Sequence, residues 1–338
     1  MNAPSDPDPD AAPGAPVRIG VLGAARIVRS ALLEPARGVD GVRVAAVAAR
    51  DRSRAEAYAA ERGIATVHGS YEALLADPDL DAVYVPLPAA LHADWTLAAV
   101  AAGRHVLCEK PFTSNAAAAE HVAAVTAGSG RVVMEAYHSH FHPLYGRLRE
   151  IIASGELGRV ESARAGFCVP IPPGRDIRWN LALGGGGLLD VGTYAVRVLT
   201  ELFGESPEVR DARAWLRDGV DRRLDATLAF DGGVTGEVVS SMWSRRLLAM
   251  SLEVRGDAGR MRVSFPYHPQ MGTRIRVSGR SGRRVERTDR RSTYAFQLEA
   301  FRDAVRGTRP VETDASAAVA HLRTLDAIHA AAGMAPRP

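Results

Sequence analysis

Three groupings of residues in this 338-residue chain could do chemistry. The first is Glu109-Lys110-Pro111, where a short apolar run (Val106, Leu107, Cys108) turns abruptly polar. Such a run reads as a buried parallel strand, which Pro111 stops by withholding an N–H. Ligands of open parallel sheets bind beyond the carboxyl ends of the strands, so this carboxylate and ammonium look toward a ligand. As plain surface groups they would form an exposed ion pair worth little to stability. The second grouping is Asp190 and Tyr194, four apart and therefore on one face of a helix. A phenol with a pKa of about 10 is a poor base at neutral pH. An ammonium within reach would lower that value and make the phenol usable. The plainer roles are helix N-cap for Asp190, after the run Gly184 to Gly187, and core aromatic for Tyr194. The third grouping is His138, His140 and His142, which would point one way in an extended segment. Aligned imidazoles can bind zinc, but no suitably spaced Cys or carboxylate joins them. Packing is the expected role, with lining of a substrate cleft as the alternative for His138.

The elements that position these groups follow from hydrophobic period and turn residues. Val17–Leu22 is a short apolar strand, followed by Gly23-Ala24-Ala25-Arg26-Ile27-Val28, a helix from Ile27 to Arg37 and a strand from Val42 to Ala49. Against the dinucleotide fingerprint, Gly23, Ala25 and Val28 take the three glycine positions, and only the first glycine is kept. The physical requirement is a tight turn that presents N–H groups at a helix N-terminus to a pyrophosphate; alanine at the second position narrows that approach without closing it. Beyond the second strand, Arg50 stands where sites for NAD place a carboxylate against the ribose 2′-OH. A guanidinium there suits a 2′-phosphate, so NADP is the expected cofactor, while Asp51 would admit NAD after a one-residue shift. Without a ligand, both would be solvated charges opening the next helix, Arg52 to Arg62.

Alternation continues with a helix at Tyr71 to Ala76 and a strand at Ala82 to Val85. Pro86-Leu87-Pro88 breaks that strand, and a helix from Ala89 to Ala102 carries His92 in its opening turn. The strand His105 to Cys108, a helix from Asn115 to Ala127 and a strand from Arg131 to Glu135 complete a parallel, doubly wound sheet. After Tyr137 the pattern changes. A helix (Pro143 to Ala153), a strand (Arg159 to Val169), a proline-rich loop bearing Arg178 and Trp179, and the glycine run precede a helix that ends near Phe203. Short strands from Glu208 to Val277 predict an antiparallel or mixed sheet, and helices at Tyr294 to Arg306 and Ala315 to Ala332 close the chain. The expected domains are a tail (1–16), a dinucleotide-binding domain (17–136) and a second α/β domain (137–338), whose closing helix can pack back on the first.

Composition fits a globular protein, 46% hydrophobic and 24% charged, with a formal net charge of +3. That charge is no nucleic-acid footprint. The Arg-rich segment Arg280 to Arg291 lacks interleaved aromatics and is interrupted by Glu286 and Asp289, so a solvated hairpin is expected there. Two distant cysteines, Cys108 and Cys168, suggest a reduced, cytoplasmic protein. No stretch approaches a membrane span, and the Pro- and Asp-rich tail lacks the features of a signal peptide.

Taken in order, Glu109-Lys110-Pro111, the Pro86…His92 segment and the Gly-Gly-x-Leu-x-Asp-x-Gly-x-Tyr stretch ending at Tyr194 resemble the Gfo/Idh/MocA family of nicotinamide-dependent oxidoreductases. The resemblance implies a Rossmann domain and a C-terminal α/β domain whose open sheet often forms the contact of a homodimer or homotetramer. It implies a catalytic Lys110 beside the nicotinamide. Gly23, Ala25, Arg26, Ile27, Arg50, Pro86, Leu87, His92, Glu109 and Lys110 would bind the cofactor. Arg178, Trp179 and His138 would bind substrate, and Asp190 would orient or bind it; no catalytic metal is implied. Hydride transfer to a carbonyl builds negative charge on oxygen, which calls for a proton donor and a nearby cation. Many members carry His at the Tyr194 position; a Tyr there is similar to the dihydrodiol and xylose dehydrogenases and to nucleotide-sugar 3-ketoreductases of deoxysugar pathways. The expected reaction is therefore hydride transfer at a hydroxyl or carbonyl carbon of a sugar, sugar derivative or cyclic diol. The alternatives are nucleotide-sugar 3-ketoreduction and a non-catalytic dinucleotide-binding regulator.

Overall fold

A computed structural model describes residues 14–174, 176–244, 248–280 and 282–338, so most of the expected N-terminal tail lies outside the described residues. The chain divides into two compact units: residues 1–113, 117–138 and 294–319 form one, and residues 114–116, 139–293 and 320–338 the other.

The first unit is built on six parallel strands, β1 (Val17–Leu22), β2 (Val42–Ala48), β3 (Thr66–His68), β4 (Ala82–Val85), β5 (His105–Glu109) and β6 (Val133–Ala136). Their spatial order is β3-β2-β1-β4-β5-β6, the doubly wound arrangement that the alternation predicts. Strands β4, β5 and β6 are buried at every residue, as strands covered on both faces must be. The register sets Val21 beside Tyr84 and Val85 beside Cys108. Consequently the turns after Leu22, Val85 and Glu109 leave the sheet along one edge, where the strand order reverses. Helices α1 (Glu34–Ala36), α2 (Arg52–Arg62), α3 (Tyr71–Leu75), α4 (His92–Ala101) and α5 (Ala116–Thr126) connect the strands.

Three local differences from the sequence reading have physical causes. The expected helix does begin at Ile27, but from Arg29 to Leu33 it runs as a π-helical turn before passing into α1 at Pro35, a residue without an N–H to give a preceding turn. Glu109 lies inside β5 rather than past it, paired in register with Ala136. The three-residue β3 is too short to carry an alternation, so pattern alone misses it.

In the second unit, α6 (Pro143–Ala153) leads into β7 (Val160–Cys168), and α7 (Thr193–Phe203) packs on β7 and β10 (Thr235–Ser241). With β8 (Glu208–Arg217), β9 (Val220–Ala229), β11 (Ala249–Gly256), β12 (Arg260–Ser264), β13 (Arg274–Gly279) and β14 (Gly282–Arg287) these strands form one sheet. Its order is β14-β13-β12-β11-β7-β10-β9-β8, antiparallel except where β10 meets β7. Side chains alternate cleanly. Ala163, Ala165, Phe167, Leu252 and Val254 are buried, while Arg164, Glu237, Arg255, Arg262 and Arg276 stand on the exposed face. The Arg-rich hairpin is stitched down at its centre rather than wholly solvated. Arg284 pairs with Glu156, and Arg147 on α6 holds Glu286 through two hydrogen bonds at 2.8 and 2.9 Å. The Arg147 bonds outweigh burial and hold the Glu286 carboxyl down at about 2. Helix α8 (Thr293–Val305) and α9 (Ala315–Ala331) follow; residues 294–319 belong with the first unit, and from residue 320 on α9 belongs with the second.

Candidate active site

At the sheet edge of the first unit, Gly23 has φ +112°, which favours glycine, and an added Cβ would meet Leu87 Cδ2 at 3.1 Å. Its N–H donates to the carbonyl of Ala48 at the end of β2 (2.7 Å), so the turn is pinned to the neighbouring strand. Two α2 side chains that the sequence did not mark tie down the same turn. Arg54 donates to the Ala24 carbonyl (2.9 Å) and the Tyr58 hydroxyl to the Ala25 carbonyl (3.0 Å). With those carbonyls engaged, the turn is fixed as a cradle for an anionic group at the helix start that follows. Arg26 and Ile27 are exposed at this turn, and Ala25 is half-buried.

Arg50 is exposed two residues past β2. Asp51 is otherwise committed: as N-cap of α2 its carboxylate accepts from the Arg54 N–H (3.2 Å) and the Ser53 hydroxyl (2.7 Å). The Ser53 and Arg54 bonds hold its carboxyl below the usual range. Only Arg50 of the two is presented at the strand end, and the residues here suit a phosphate better than a ribose hydroxyl.

Pro86 and Leu87 follow β4, and His92 is buried beneath them. Its two ring nitrogens lie 2.9 Å from the Pro111 carbonyl and 2.7 Å from the Leu87 carbonyl. Burial lowers the His92 pKa, against the pull of those carbonyls. At 1% exposure this imidazole sits between the turn after β4 and the turn after β5, and in its neutral form it donates its single N–H to one of those two carbonyls. Glu109 is likewise an internal brace, accepting from the Tyr84 hydroxyl and, at 3.2 Å, from the Lys110 N–H. Glu135 accepts from the Phe112 N–H at 2.9 Å. Lys110, joined to Pro111 by a cis peptide bond, is half-buried, with Glu109 and Phe112 bonded on either side of it.

The three histidines are separated by a turn rather than aligned along a strand, so each has different work. His138, expected to contact substrate, is buried with its ring 4.1 Å from that of Tyr294. His140 bonds Glu201 at 2.8 Å, and His142 caps α6 by accepting from the Leu144 N–H (3.1 Å).

In the second unit the helix bearing the other candidates starts as a π-helical turn, Leu188–Gly192, and becomes α-helical at Thr193. Asp190 lies within that turn, so it is not the N-cap. Its carboxylate pairs with Arg178 (Nε to Oδ2, 2.8 Å), which also contacts Asp176 at 3.2 Å. Burial opposes charge on Arg178, and Asp190 and Asp176 outweigh it, holding the guanidinium pKa up. Trp179 is half-buried, and Arg217 lies 6.0 Å from its ring centroid.

Tyr194 is 5% exposed and sits in an aromatic cluster that sequence reasoning missed. Its ring centroid is 5.6 Å from those of Phe167 and Tyr267 and 6.1 Å from that of His268. Tyr267 and His268 come from the β12–β13 connection, which opens with Phe265 at φ +52°, an unusual conformation for an aromatic residue. A positive-φ phenylalanine followed by Pro-Tyr-His-Pro leaves no periodic signal, and only the folded sheet brings it to Tyr194.

Residues 17–137 match the oxidoreductase family with an NAD-binding Rossmann fold, and residues 145–262 match the C-terminal domain of the same Gfo/Idh/MocA family. The chain is 39% identical over 317 residues to a D-xylose 1-dehydrogenase (NADP(+)) of Haloferax volcanii, covering 93% of this chain and 96% of that one. It is 36% identical over 269 residues to the dTDP-3,4-didehydro-2,6-dideoxy-alpha-D-glucose 3-reductase of Streptomyces antibioticus, covering 78% and 80%. Among solved structures, a 3-ketoreductase from Actinomadura kijaniata in complex with NADP and TDP-benzene superimposes with a TM-score of 0.87 at 30% identity, covering 94% of this chain and 98% of the other. Fold, edge-of-sheet turn and sequence likeness agree, and this chain belongs to the Gfo/Idh/MocA family of oxidoreductases.

Proposed function

We propose that this protein is an NADP-dependent oxidoreductase acting at a hydroxyl or carbonyl carbon of a sugar, sugar derivative or cyclic diol. The observation that carries the reading is Lys110, an ammonium at the carboxyl edge of a doubly wound sheet, between a strand braced through Glu109 and a turn clasped through His92. A cation held in this way needs little rearrangement when negative charge develops on a substrate oxygen. The nicotinamide, when bound, supplies or accepts the hydride. Gly23, Ala25, Arg26 and Ile27 form the turn toward its diphosphate, Arg50 reads the 2′-phosphate, and Pro86 and Leu87 lie on the same edge. Tyr194 gives or takes the proton at the substrate oxygen, Lys110 favours its phenolate, and Asp190, fixed by Arg178, holds a substrate hydroxyl.

The relatives include enzymes acting on a free sugar and on a nucleotide sugar. Arg178 favours the free sugar or diol here, because Asp176 and Asp190 already engage its guanidinium and leave it poorly placed to pair with a diphosphate. Initial rates with NADP and NAD against D-xylose, related aldoses, trans-dihydrodiols and a dTDP-ketosugar test the assignment. Turnover confined to the dTDP-sugar would replace it with the ketoreductase reading, and cofactor binding without turnover of any substrate would replace it with the regulator.

We further propose that copies associate through the exposed face of the eight-stranded sheet. Cross-strand pairing places Arg276, Arg262, Glu253, Arg164 and Glu237 in one row of mixed sign, which a second copy turned by a two-fold axis can meet with opposite charges. Among the described residues no helix is long and apolar enough to cross a membrane.

A further inference from the structure

The segment after α9 makes a connection that the proposed chemistry does not use. Gly333 turns the chain back, with the Met334 N–H donating to the His329 carbonyl at 2.9 Å. Four residues on, Arg337 is buried to 4% exposure and forms an ion pair with Asp221, the second residue of β9, which is fully buried. The Arg337 carbonyl accepts from the Asn115 side chain at 2.7 Å, so the segment is held from both directions.

Asp221 faces two ways. One carboxylate oxygen takes the arginine, and the other accepts from the Leu188 N–H at 2.7 Å, at the first residue of the π-helical turn that leads to Asp190 and Tyr194. The glycines before that turn fit around the same carboxylate. Gly186 has φ +147°, and a Cβ there would lie 2.3 Å from Asp221 Oδ1; a Cβ on Gly187 would lie 2.9 Å from the Asp221 carbonyl. A π-helical start is weakly bonded and leaves N–H groups without helical partners, so its position depends on whatever caps it. Here the cap is a buried carboxylate, which costs free energy to bury and is retained in ionised form only with its counter-ion.

We propose that Asp221 and Arg337 are positioning residues for catalysis: the Asp221 carboxylate, neutralised by Arg337, holds the Leu188 N–H at the start of the helix and so fixes where Asp190 and Tyr194 stand. The inference rests on the proposed role of Tyr194. Its consequence is that a residue remote in sequence from every motif of the family sets turnover while leaving cofactor affinity alone, because cofactor contacts come from the turns of the parallel sheet.

Three variants test the clamp: Arg337→Met, Asp221→Asn with Arg337→Met, and Asp221→Leu with Arg337→Met. Each is measured for kcat per folded protein, for NADP(H) dissociation constant, and for hydrogen–deuterium exchange across residues 186–200. Arg337→Met strands a buried carboxylate and should lower kcat at least about tenfold, with faster exchange at Leu188 to Tyr194. The Asn/Met pair strands no charge and keeps an oxygen for the Leu188 N–H, so both readouts should return to within about threefold of the wild type. The Leu/Met pair also strands no charge but loses that oxygen, and should stay impaired. The dissociation constant should stay within about twofold throughout, since none of these groups belongs to the cofactor turns. If Arg337→Met does not fold, the two double variants carry the comparison alone. Equal kcat in the Asn/Met and Leu/Met pairs, or exchange unchanged from the wild type in the Leu/Met pair, would overturn the clamp. Tyr194→Phe, run alongside, separates the two ideas. Full turnover in that variant overturns the role of Tyr194, whereas its inactivity together with fully active clamp variants overturns the clamp alone.

Discussion

Arg178 and Asp190 meet through Nε and Oδ2 at 2.8 Å, and with this contact the proline-rich loop fastens itself to the first turn of the helix that carries Tyr194. Both side chains are partly shielded, so the pair is stronger than a surface bridge, and its value lies in orientation. Arg178→Leu should remove this contact from Asp190 and, if Asp190 holds a substrate hydroxyl as proposed, lower kcat about 10- to 100-fold, the range for a small misplacement of a catalytic-site group. Arg178→Lys keeps the charge without the planar fork and should recover only part of the loss. Steady-state kinetics of the two variants check this; equal activity in both would show that the loop merely covers the site.

Cofactor preference should follow Arg50. Replacing it with Ala should weaken NADP binding by about 1–3 kcal/mol, as expected for a lost hydrogen bond to a charged group, and leave NAD nearly unchanged. Asp51→Ala should instead lower the melting temperature, because its carboxylate caps α2. Isothermal titration with both dinucleotides and melting curves distinguish the two residues.

Much of this was legible in the sequence, and the limit is a physical one. Val17–Leu22 and Ala82–Val85 are runs of apolar residues bounded by turn formers, so both strands and the edge on which Gly23, Pro86 and Lys110 stand followed from period and punctuation. His92 was found, but its role was not: a histidine in a first helical turn gives no sign that both ring nitrogens meet carbonyls. The surroundings of Tyr194 were invisible because Phe167, Tyr267 and His268 come from one strand and one irregular connection far apart in the chain. The ion pair of Asp221 with Arg337 spans 116 positions, and long-range polar pairing leaves no local pattern.

Acid stability should depend on His329. Neither ring nitrogen has a partner among the described residues, and burial, with Arg337 nearby, lowers its pKa from 6.5 to about 3. A buried histidine held neutral stabilises the fold fully above the unfolded-state value, and that stability is lost as pH falls from about 6.5 toward 3. His329→Leu should therefore gain stability over the wild type as pH falls, by about 1–2 kcal/mol more at pH 5 than at pH 8. Urea unfolding at the two pH values checks the sign; a constant difference would mean that the imidazole is not the titrating group.

Association through the sheet should respond to charge. Glu253 contacts Arg255 and Arg262 at the centre of the exposed row. Glu253→Arg places three like charges together there, and a like-charge juxtaposition across an interface costs several kcal/mol. Sedimentation equilibrium should show the wild type as a dimer or tetramer and this variant shifted to monomer, with melting little changed at high salt. An unshifted oligomer would move the interface to another surface.

The central claim is that Lys110 and Tyr194 serve one proton transfer, and single-turnover hydride transfer in a double-mutant cycle tests it most directly. Lys110→Met and Tyr194→Phe should each slow the step by about 10²–10⁴, the usual worth of a positioned acid or base, with the fold intact by circular dichroism. Because each residue acts through the other, the double variant should be scarcely slower than the slower single variant. Losses that multiply in the double variant would contradict the account and give the lysine and the tyrosine separate roles.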